Sequence, residues 1–288
     1  MLAQVLFSGL ALGSIYGLVA LGFAVVFKAT EVFNFAQGML AVCGAYFAAT
    51  AISMLQLPFP LALVFMAVAA IALGVAIHIL LIQPLAGRSM LAVIMVTIAL
   101  SIVLRAAIEI IYGPQGRTLT TPLPNGVIMV GSLRMSELHL TAALVSWACM
   151  AIFAAFFRFT SVGLLMRATA DSHEAAVVSG VNVNAMNRLA WGIGSLLAAI
   201  GGLFLGQLQI VSTGLESIGL LALPAVVIGG MQSIPGAVVG GLLVGVIEQL
   251  SASYISPKST DIVIYAILLL ILLIRPWGLF GQRELGRV

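Results

Sequence analysis

Long apolar stretches separated by short polar segments follow one another along the whole chain. No Asp, Glu, Lys or Arg occurs in residues 2–27 or again in residues 32–87, and Pro58 and Pro60 divide the second of these runs. A helix that crosses a bilayer needs roughly 20 predominantly apolar residues. The pattern therefore predicts nine apolar segments, at about residues 2–27, 35–55, 61–82, 89–112, 140–157, 189–210, two pieces around residues 229–236, and 262–274.

The two pieces around residues 229–236 differ from the other segments. The charge-free run of residues 217–247 is interrupted by Pro224 and by the glycine- and proline-rich sequence GGMQSIPG. Such breakers favour two short pieces over one continuous helix. We therefore predict an all-α polytopic membrane protein with about eight or nine transmembrane segments, some of them broken or re-entrant. It forms a single domain over residues 1–288.

Composition supports a membrane protein and excludes several other classes. Hydrophobic residues make up 62% of the chain and charged residues 7%, whereas soluble domains carry about 25% charged residues. Too few charges remain to cover a surface in water, so the solvent of this chain is lipid. The net charge is only +3 and the basic residues are scattered, which does not indicate a nucleic-acid partner.

Candidate chemistry is sparse. The three histidines lie far apart and both cysteines lie inside apolar runs, so neither a metal site nor a disulfide is predicted. No nucleophile elbow is present, and we predict no catalytic residues. The sequence also lacks the phosphate loop G-x-x-x-x-G-K-[ST], because neither Lys28 nor Lys258 follows the required glycines. The chain is therefore expected to bind no cofactor and to hydrolyse no ATP itself.

The distribution of Lys and Arg predicts the orientation in the membrane, since cytoplasmic loops carry the excess of both. With the N-terminus outside and nine crossings, eight basic residues lie inside, and only three outside, while Arg105 stays within the membrane. The inside set is Lys28, Arg88, Arg158, Arg167, Arg188, Arg275, Arg283 and Arg287, and the outside set is Arg117, Arg134 and Lys258. We predict an outside N-terminus and a cytoplasmic C-terminus.

This orientation makes residues 158–188 a cytoplasmic loop and residues 113–138 an extracytoplasmic one. The cytoplasmic loop alternates apolar and polar side chains, which predicts a short helix with an apolar face that its own loop does not cover. Such a face is a docking surface, although a merely solvated connection is the alternative. The apolar set is Leu164, Leu165, Ala168, Ala175, Ala176 and Val178, and the polar set is Arg167, Asp171, His173 and Glu174.

Three stretches of the chain resemble a known family. They are GLALGSIYGLVALGFAVVFKATEVFNFAQGMLAVCGAY, RATADSHEAAVVSGVNVNAMNRLAWGIGSLLAAIGGLFLG and PAVVIGGMQSIPGAVVGGLLVGVIEQL, in this order. They are similar to the branched-chain amino-acid ABC transporter permease family, specifically its shorter Liv-type permease subunit. The resemblance implies a second related permease subunit, two cytoplasmic ATPase subunits that hydrolyse the ATP, an extracytoplasmic substrate-binding protein, and a bacterial or archaeal plasma membrane.

The resemblance also assigns a role to the cytoplasmic loop. In ABC importers the permease offers a coupling helix with the sequence Glu-Ala-Ala, three residues, Gly to a groove on the ATPase. Glu174, Ala175, Ala176 and Gly180 match this core, and Arg167 lies in the same loop. The longer form of the motif continues with Ile-x-Leu-Pro, where this chain has Ala-Trp-Gly-Ile at residues 190–193. The match is therefore to the short core.

Two polar groups within the membrane are candidates for a translocation path. Arg105 and Glu109 lie at i and i+4 on one predicted helix, where neighbouring side chains meet; we predict an ion pair facing the bundle interior, with lining of the substrate path as the alternative. In the sequence EVFNFAQG, Asn34 and Gln37 lie at the start of the second predicted segment. Either Asn34 caps that helix, or the helix is broken and the amides line a cavity.

The outer face offers Arg117, Arg134 and Lys258 as candidate contacts for a binding protein, since charge complementarity orients a docking partner. The alternative is that these side chains are merely solvated. Two other functions stay open at this stage. A secondary transporter or channel driven by an ion gradient would need more intramembrane carboxylates than Glu109 and Glu248. An ABC permease for urea or short amides would share the same architecture.

Overall fold

The computed structural model describes residues 2–130 and 133–281, and these are mostly helical. The helices are α1 (Leu2–Thr30), α2 (Gln37–Ala49), α3 (Phe59–Ile77), α4 (Met90–Tyr112), α5 (Glu137–Phe159), α6 (Ser161–Asp171), α7 (His173–Val178), α8 (Val183–Leu208), α9 (Leu215–Leu220), α10 (Ala222–Gly229), α11 (Ile234–Tyr254) and α12 (Thr260–Ile274). A π-helical turn, Thr50–Met54, extends α2, and a π turn and a 3₁₀ turn extend α3 to Leu85.

Eight helices of the described chain are long and apolar enough to cross a membrane. The ninth apolar segment, Leu215–Gly229, is shorter and is formed by α9 and α10. The expectation of two short pieces around residues 229–236 is half wrong, because α11 is a continuous helix of 21 residues. Pro235 lies in its first turn, where a missing N–H costs nothing, so the proline begins the helix instead of breaking it.

Helix α1 forms the centre of the bundle. Its residues from Ala11 to Phe27 are all buried, which explains why this segment is apolar on every side. Glycines allow α11 to approach α1 closely. A Cβ atom at Gly13 would lie 2.8 Å from the Leu242 Cα atom, and one at Gly9 would lie 2.9 Å from the Val246 Cα atom. The spacing of glycines in α1 therefore serves helix packing, as small residues do in membrane bundles.

The bundle has two chemically different ends. Lys28 and Arg158 lie together at one end, which we call the basic end, together with the turn at Gln232–Pro235, and Arg188 donates to the Gln83 amide oxygen there at 3.0 Å. The opposite end carries the loops with Arg117, Arg134 and Lys258. Gly281 lies at the basic end beside Lys28, whereas Leu2 lies at the other end of α1. Arg283 and Arg287, two of the eight basic residues predicted to lie inside, are outside the described residues.

The loop between α4 and α5 carries the two β-strands found within the described residues. It forms a hairpin of β1 (Val127–Val130) and β2 (Leu133–Ser136), in which Met129 pairs with Arg134. The same loop is fixed to the chain after α8, because Arg117 and Val211 exchange backbone hydrogen bonds of 2.8 and 2.9 Å. We call this side of the molecule the hairpin end.

Candidate translocation and coupling sites

Helix α2 begins inside the bundle, and Gln37 holds its first turn in place. The Gln37 Nε2 atom donates to the Val19 carbonyl at 3.3 Å and to the Gly194 carbonyl at 3.2 Å. Val19 lies nine residues before Lys28, which is about 13 Å along α1. Residues 31–36 therefore run back into the bundle without helical structure, and we call them the re-entrant segment.

Asn34 completes this arrangement. Its side-chain amide donates to Gln37 Oε1 at 3.0 Å, and its Oδ1 atom accepts from the Ala36 N–H at 3.1 Å. Both amide side chains are buried, and their hydrogen bonds go to each other and to backbone. They join α1, α2 and α8, as buried polar groups within a membrane must find protein partners. Their role in a translocation path stays a prediction.

The predicted ion pair between Arg105 and Glu109 is wrong. The Arg105 guanidinium pairs with Glu216 on α9, and Glu109 accepts a hydrogen bond of 3.1 Å from the Thr213 hydroxyl. The reason is that the long Arg105 side chain reaches beyond its own helix to Glu216 on α9, which packs on α2. The Glu216 side chain is 8% exposed and the Arg105 side chain 45%; the carboxylate belongs to the interior and the guanidinium to the surface.

Further polar side chains continue along α9 toward α11 and α12. A cavity of about 300 Å³ is lined by Ser217, Glu248, Thr260 and Asp261, together with apolar residues of α9, α11 and the turns beside them. We use the name polar strip for the set Arg105, Glu109, Thr213, Glu216, Ser217, Glu248 and Asp261. Sequence reasoning missed Glu216 and Asp261. The available signal was that each acid lies in the first turn of its helix, a position that carboxylates favour.

The depth of the polar strip distinguishes it from an ordinary lipid-facing surface. Arg105 lies seven residues before the end of α4, or about 10 Å inward along the helix. A charge in lipid costs about 2.5–3.5 kcal/mol on insertion scales, and irregular backbone at membrane depth is tolerated only against protein or a water-filled cavity. The half-exposed Arg105 and the short α9 therefore mark a face that lipid does not cover.

At the basic end, α6 and α7 lie outside the spanning helices. The hydroxyl of Thr160 caps α6 at the Gly163 N–H, and that of Ser172 caps α7 at the Ala175 N–H. Leu164, Val177 and Val178 are exposed, Val178 by 89%. The predicted short helix is thus two helices with an uncovered apolar face, which we call the coupling surface (Ser161–Val178).

Two residues of the predicted coupling motif have roles inside the protein. Ala176 is 3% exposed, so its methyl group faces inward, and the outward apolar residues of α7 are Val177 and Val178. Gly180 has a φ of 80° and ends α7. Its N–H donates to the Val177 carbonyl and the Val181 N–H to the Ala176 carbonyl. This pairing is the Schellman motif, which favours glycine.

The remaining motif residues surround these positions. Glu174 and Ala175 are exposed in the first turn of α7. Arg167 donates to the Phe157 carbonyl, and its guanidinium lies 5.6 Å from the centroid of the Phe157 ring. Arg167 also lines a cavity of about 530 Å³ at the basic end, together with Lys28, Glu31, Arg158 and Asp171. Arg167 therefore fastens α6 to α5.

The three basic residues at the hairpin end have different surroundings. The Arg117 side chain donates to the Tyr112 carbonyl at 3.2 Å and lies 5.4 Å from the Tyr112 ring centroid. Arg134 on β2 and Lys258 in the turn before α12 are exposed. The structure gives Arg117 an internal partner and leaves the other two side chains accessible to a protein from outside.

Known proteins resemble the chain over its whole length. The family model for the permease component of branched-chain amino acid transport systems matches residues 5–272. LivH of Salmonella typhimurium, a high-affinity branched-chain amino acid transport system permease protein, is 31% identical, with 99% of this chain and 97% of LivH covered. BraD of Pseudomonas aeruginosa, named as the same kind of permease, has the same identity and coverage.

A more distant relative comes from an archaeon. The probable branched-chain amino acid transport permease protein LivH of Methanocaldococcus jannaschii is 26% identical, with 92% of this chain and 88% of the relative covered. Among solved structures, PsaBC from Streptococcus pneumoniae in complex with Fab matches 93% of this chain at 16% identity with a TM-score of 0.49.

These observations define the class first and the family second. The eight candidate spanning helices and the short α9–α10 segment are consistent with a polytopic α-helical membrane permease. The chain belongs to the permease family of branched-chain amino acid transport systems, which confirms the resemblance seen in its sequence. It is a permease subunit of an ABC importer.

Proposed function

We propose that this chain carries branched-chain or related hydrophobic amino acids inward across a bacterial or archaeal plasma membrane, with its N-terminus outside and its C-terminus in the cytoplasm. The relatives' names support the substrate class. The excess of Lys and Arg at the basic end supports the orientation. Permeases for urea and short amides are the alternative that a substrate competition assay distinguishes.

The partners follow from what this chain exposes. A second related permease subunit packs against the face with the polar strip, where a charged side chain cannot meet lipid. Two ATPase subunits supply the energy, because the sequence of this chain contains no phosphate loop. An extracytoplasmic binding protein docks at the hairpin end against Arg134 and Lys258, with Arg117 supporting the loop from within.

One observation carries the ATPase contact: the coupling surface at the basic end presents Leu164, Val177 and Val178 to solvent outside the bundle. Apolar residues exposed together in this way mark protein interaction sites. The motif residues Arg167, Glu174, Ala175, Ala176 and Gly180 build this surface, some by contact and others by shaping α6 and α7. The contact transmits ATP hydrolysis mechanically to the spanning helices.

The test is uptake of radiolabelled leucine into proteoliposomes that contain this chain with its second permease and ATPases. We expect uptake to require ATP inside and binding protein outside, and competition by isoleucine and valine but not by urea or acetamide. Uptake driven by a proton or sodium gradient without ATP would support the secondary-transporter alternative. Competition by urea alone would support the amide alternative.

A further inference from the structure

The Arg105–Glu216 ion pair has two unequal members. Glu216 is buried where α9 meets α2: a Cβ atom at Gly38 would lie 2.7 Å from the Glu216 carbonyl oxygen, so the two backbones are in close contact. Arg105 projects from α4 with 45% of its side chain exposed. The carboxylate is thus fixed to the bundle core, while the guanidinium sits at the open side of the pair.

The two opposite charges of the pair match those of a free amino acid. An amino acid in water carries one carboxylate and one ammonium group, and an arginine guanidinium binds a carboxylate through two parallel N–H bonds. If the substrate carboxylate takes the exposed guanidinium, Glu216 becomes free to accept the substrate ammonium. Each of the four charges then has a partner, so no charge is left unpaired at membrane depth. Glu109, one turn along α4, keeps its bond to Thr213.

On the assumption that the proposed function holds, we propose that Arg105 and Glu216 form a binding station for the zwitterionic group of the amino acid on the translocation path. Arg105 binds the carboxylate and Glu216 binds the ammonium group as the pair opens. The site recognises the carboxylate and the ammonium group of the substrate, which leucine, isoleucine and valine share. Side-chain selection then belongs to other contacts.

A purely structural ion pair would instead hold α9 to α4 and take no part in transport. The charge-swapped variant Arg105→Glu/Glu216→Arg separates the two roles, because it can restore an attraction between the helices but places the basic group in the buried position. The variant Arg105→Lys keeps the charge while removing the bidentate fork. Arg88→Gln, an exposed change at the basic end, is the matched control.

The experiment uses the complete reconstituted transporter at saturating binding protein, and it measures leucine uptake, ATP hydrolysis and thermal stability. We expect Arg105→Lys to keep wild-type stability and binding-protein-stimulated hydrolysis while uptake falls about tenfold, and a stable swapped variant to stay equally slow. Wild-type uptake by Arg105→Lys overturns the proposal, as does a swapped variant that regains uptake together with stability. An inactive wild-type transporter would instead contradict the proposed function.

Discussion

The Arg105 guanidinium is paired with the Glu216 carboxylate, and this ion pair joins α4 to α9 within the membrane-spanning bundle. Since Glu216 is buried and Arg105 is half exposed, mutation of Arg105 and mutation of Glu216 should change the stability of the protein by different amounts. Arg105→Gln leaves a buried carboxylate without its cation, whereas Glu216→Gln leaves a guanidinium that still reaches solvent.

We therefore expect Arg105→Gln to lower the stability of the purified protein by about 2 kcal/mol, more than Glu216→Gln does, and the double variant to be more stable than Arg105→Gln. Thermal unfolding in detergent measures the order. Glu109→Gln is the matched control, because this substitution weakens only the hydrogen bond from Thr213, which contributes about 1 kcal/mol to stability. A loss for Glu109→Gln equal to that for Arg105→Gln would contradict this assignment of the pair.

Gln37 gives a second prediction on stability. Its amide joins α1 and α8 through the Val19 and Gly194 carbonyls, and it also accepts from Asn34. Gln37→Ala removes these bonds and leaves the Asn34 amide without this acceptor, so we expect a loss of about 1–3 kcal/mol. The exposed Gln115→Ala is the control. Thermal stability unchanged in both variants would show that the re-entrant segment is held by other contacts.

Gly180 allows a test of conformation separate from chemistry. At a φ of 80°, alanine is strained by about 1 kcal/mol, whereas asparagine tolerates this region. Nothing lies within 4 Å of a Cβ atom built at Gly180, so side-chain clashes do not contribute. We expect Gly180→Ala to weaken the coupling of hydrolysis to uptake and Gly180→Asn to stay closer to wild type. Equal effects of the two substitutions would point to direct contact with the ATPase.

The exposed basic residues at the hairpin end lead to a prediction on docking of the binding protein. Arg134 and Lys258 are exposed, whereas Arg117 bonds to Tyr112. Arg134→Glu and Lys258→Glu should raise the binding-protein concentration for half-maximal uptake several-fold at low salt, with little change at saturation, because exposed charge pairs are screened by ions. Arg117→Glu should chiefly lower stability. An unchanged half-maximal concentration for both exposed variants at low salt would exclude electrostatic docking.

Much of the fold was accessible from the sequence, because lipid makes hydrophobicity a direct signal of spanning helices. The segment predicted at residues 89–112 corresponds to α4 (Met90–Tyr112). The run is divided near Pro58 as expected, and α3 begins at Phe59, two residues before the predicted start. The short α9–α10 piece also follows from its breakers. The continuous α11 could not be predicted in this way, since a proline such as Pro235 can either break a helix or occupy its first turn.

The site was less accessible, because pairing depends on which helices become neighbours. Arg105 and Glu109 satisfied the local i, i+4 rule, yet the tertiary contact with α9 gives Arg105 a different partner. The inward orientation of the Ala176 methyl group could not be predicted for a similar reason. The break between α6 and α7 at Ser172 rotates one helix relative to the other. Local periodicity predicts the face of one helix, but not its orientation after a break.

We propose that ATP hydrolysis drives amino acid import through the coupling surface, and the number of leucine molecules taken up per ATP hydrolysed measures this coupling. Val178→Glu places a charge on the most exposed apolar residue of α7 without disturbing the buried Ala176, and Arg88→Gln changes the charge by the same amount elsewhere at the basic end. We predict that Val178→Glu inserts and folds normally but that its uptake per ATP falls at least roughly tenfold, as expected when an interface anchor is lost. The Arg88→Gln ratio should match wild type. A wild-type ratio for Val178→Glu, with normal assembly, would show that the coupling surface does not transmit ATP hydrolysis to transport.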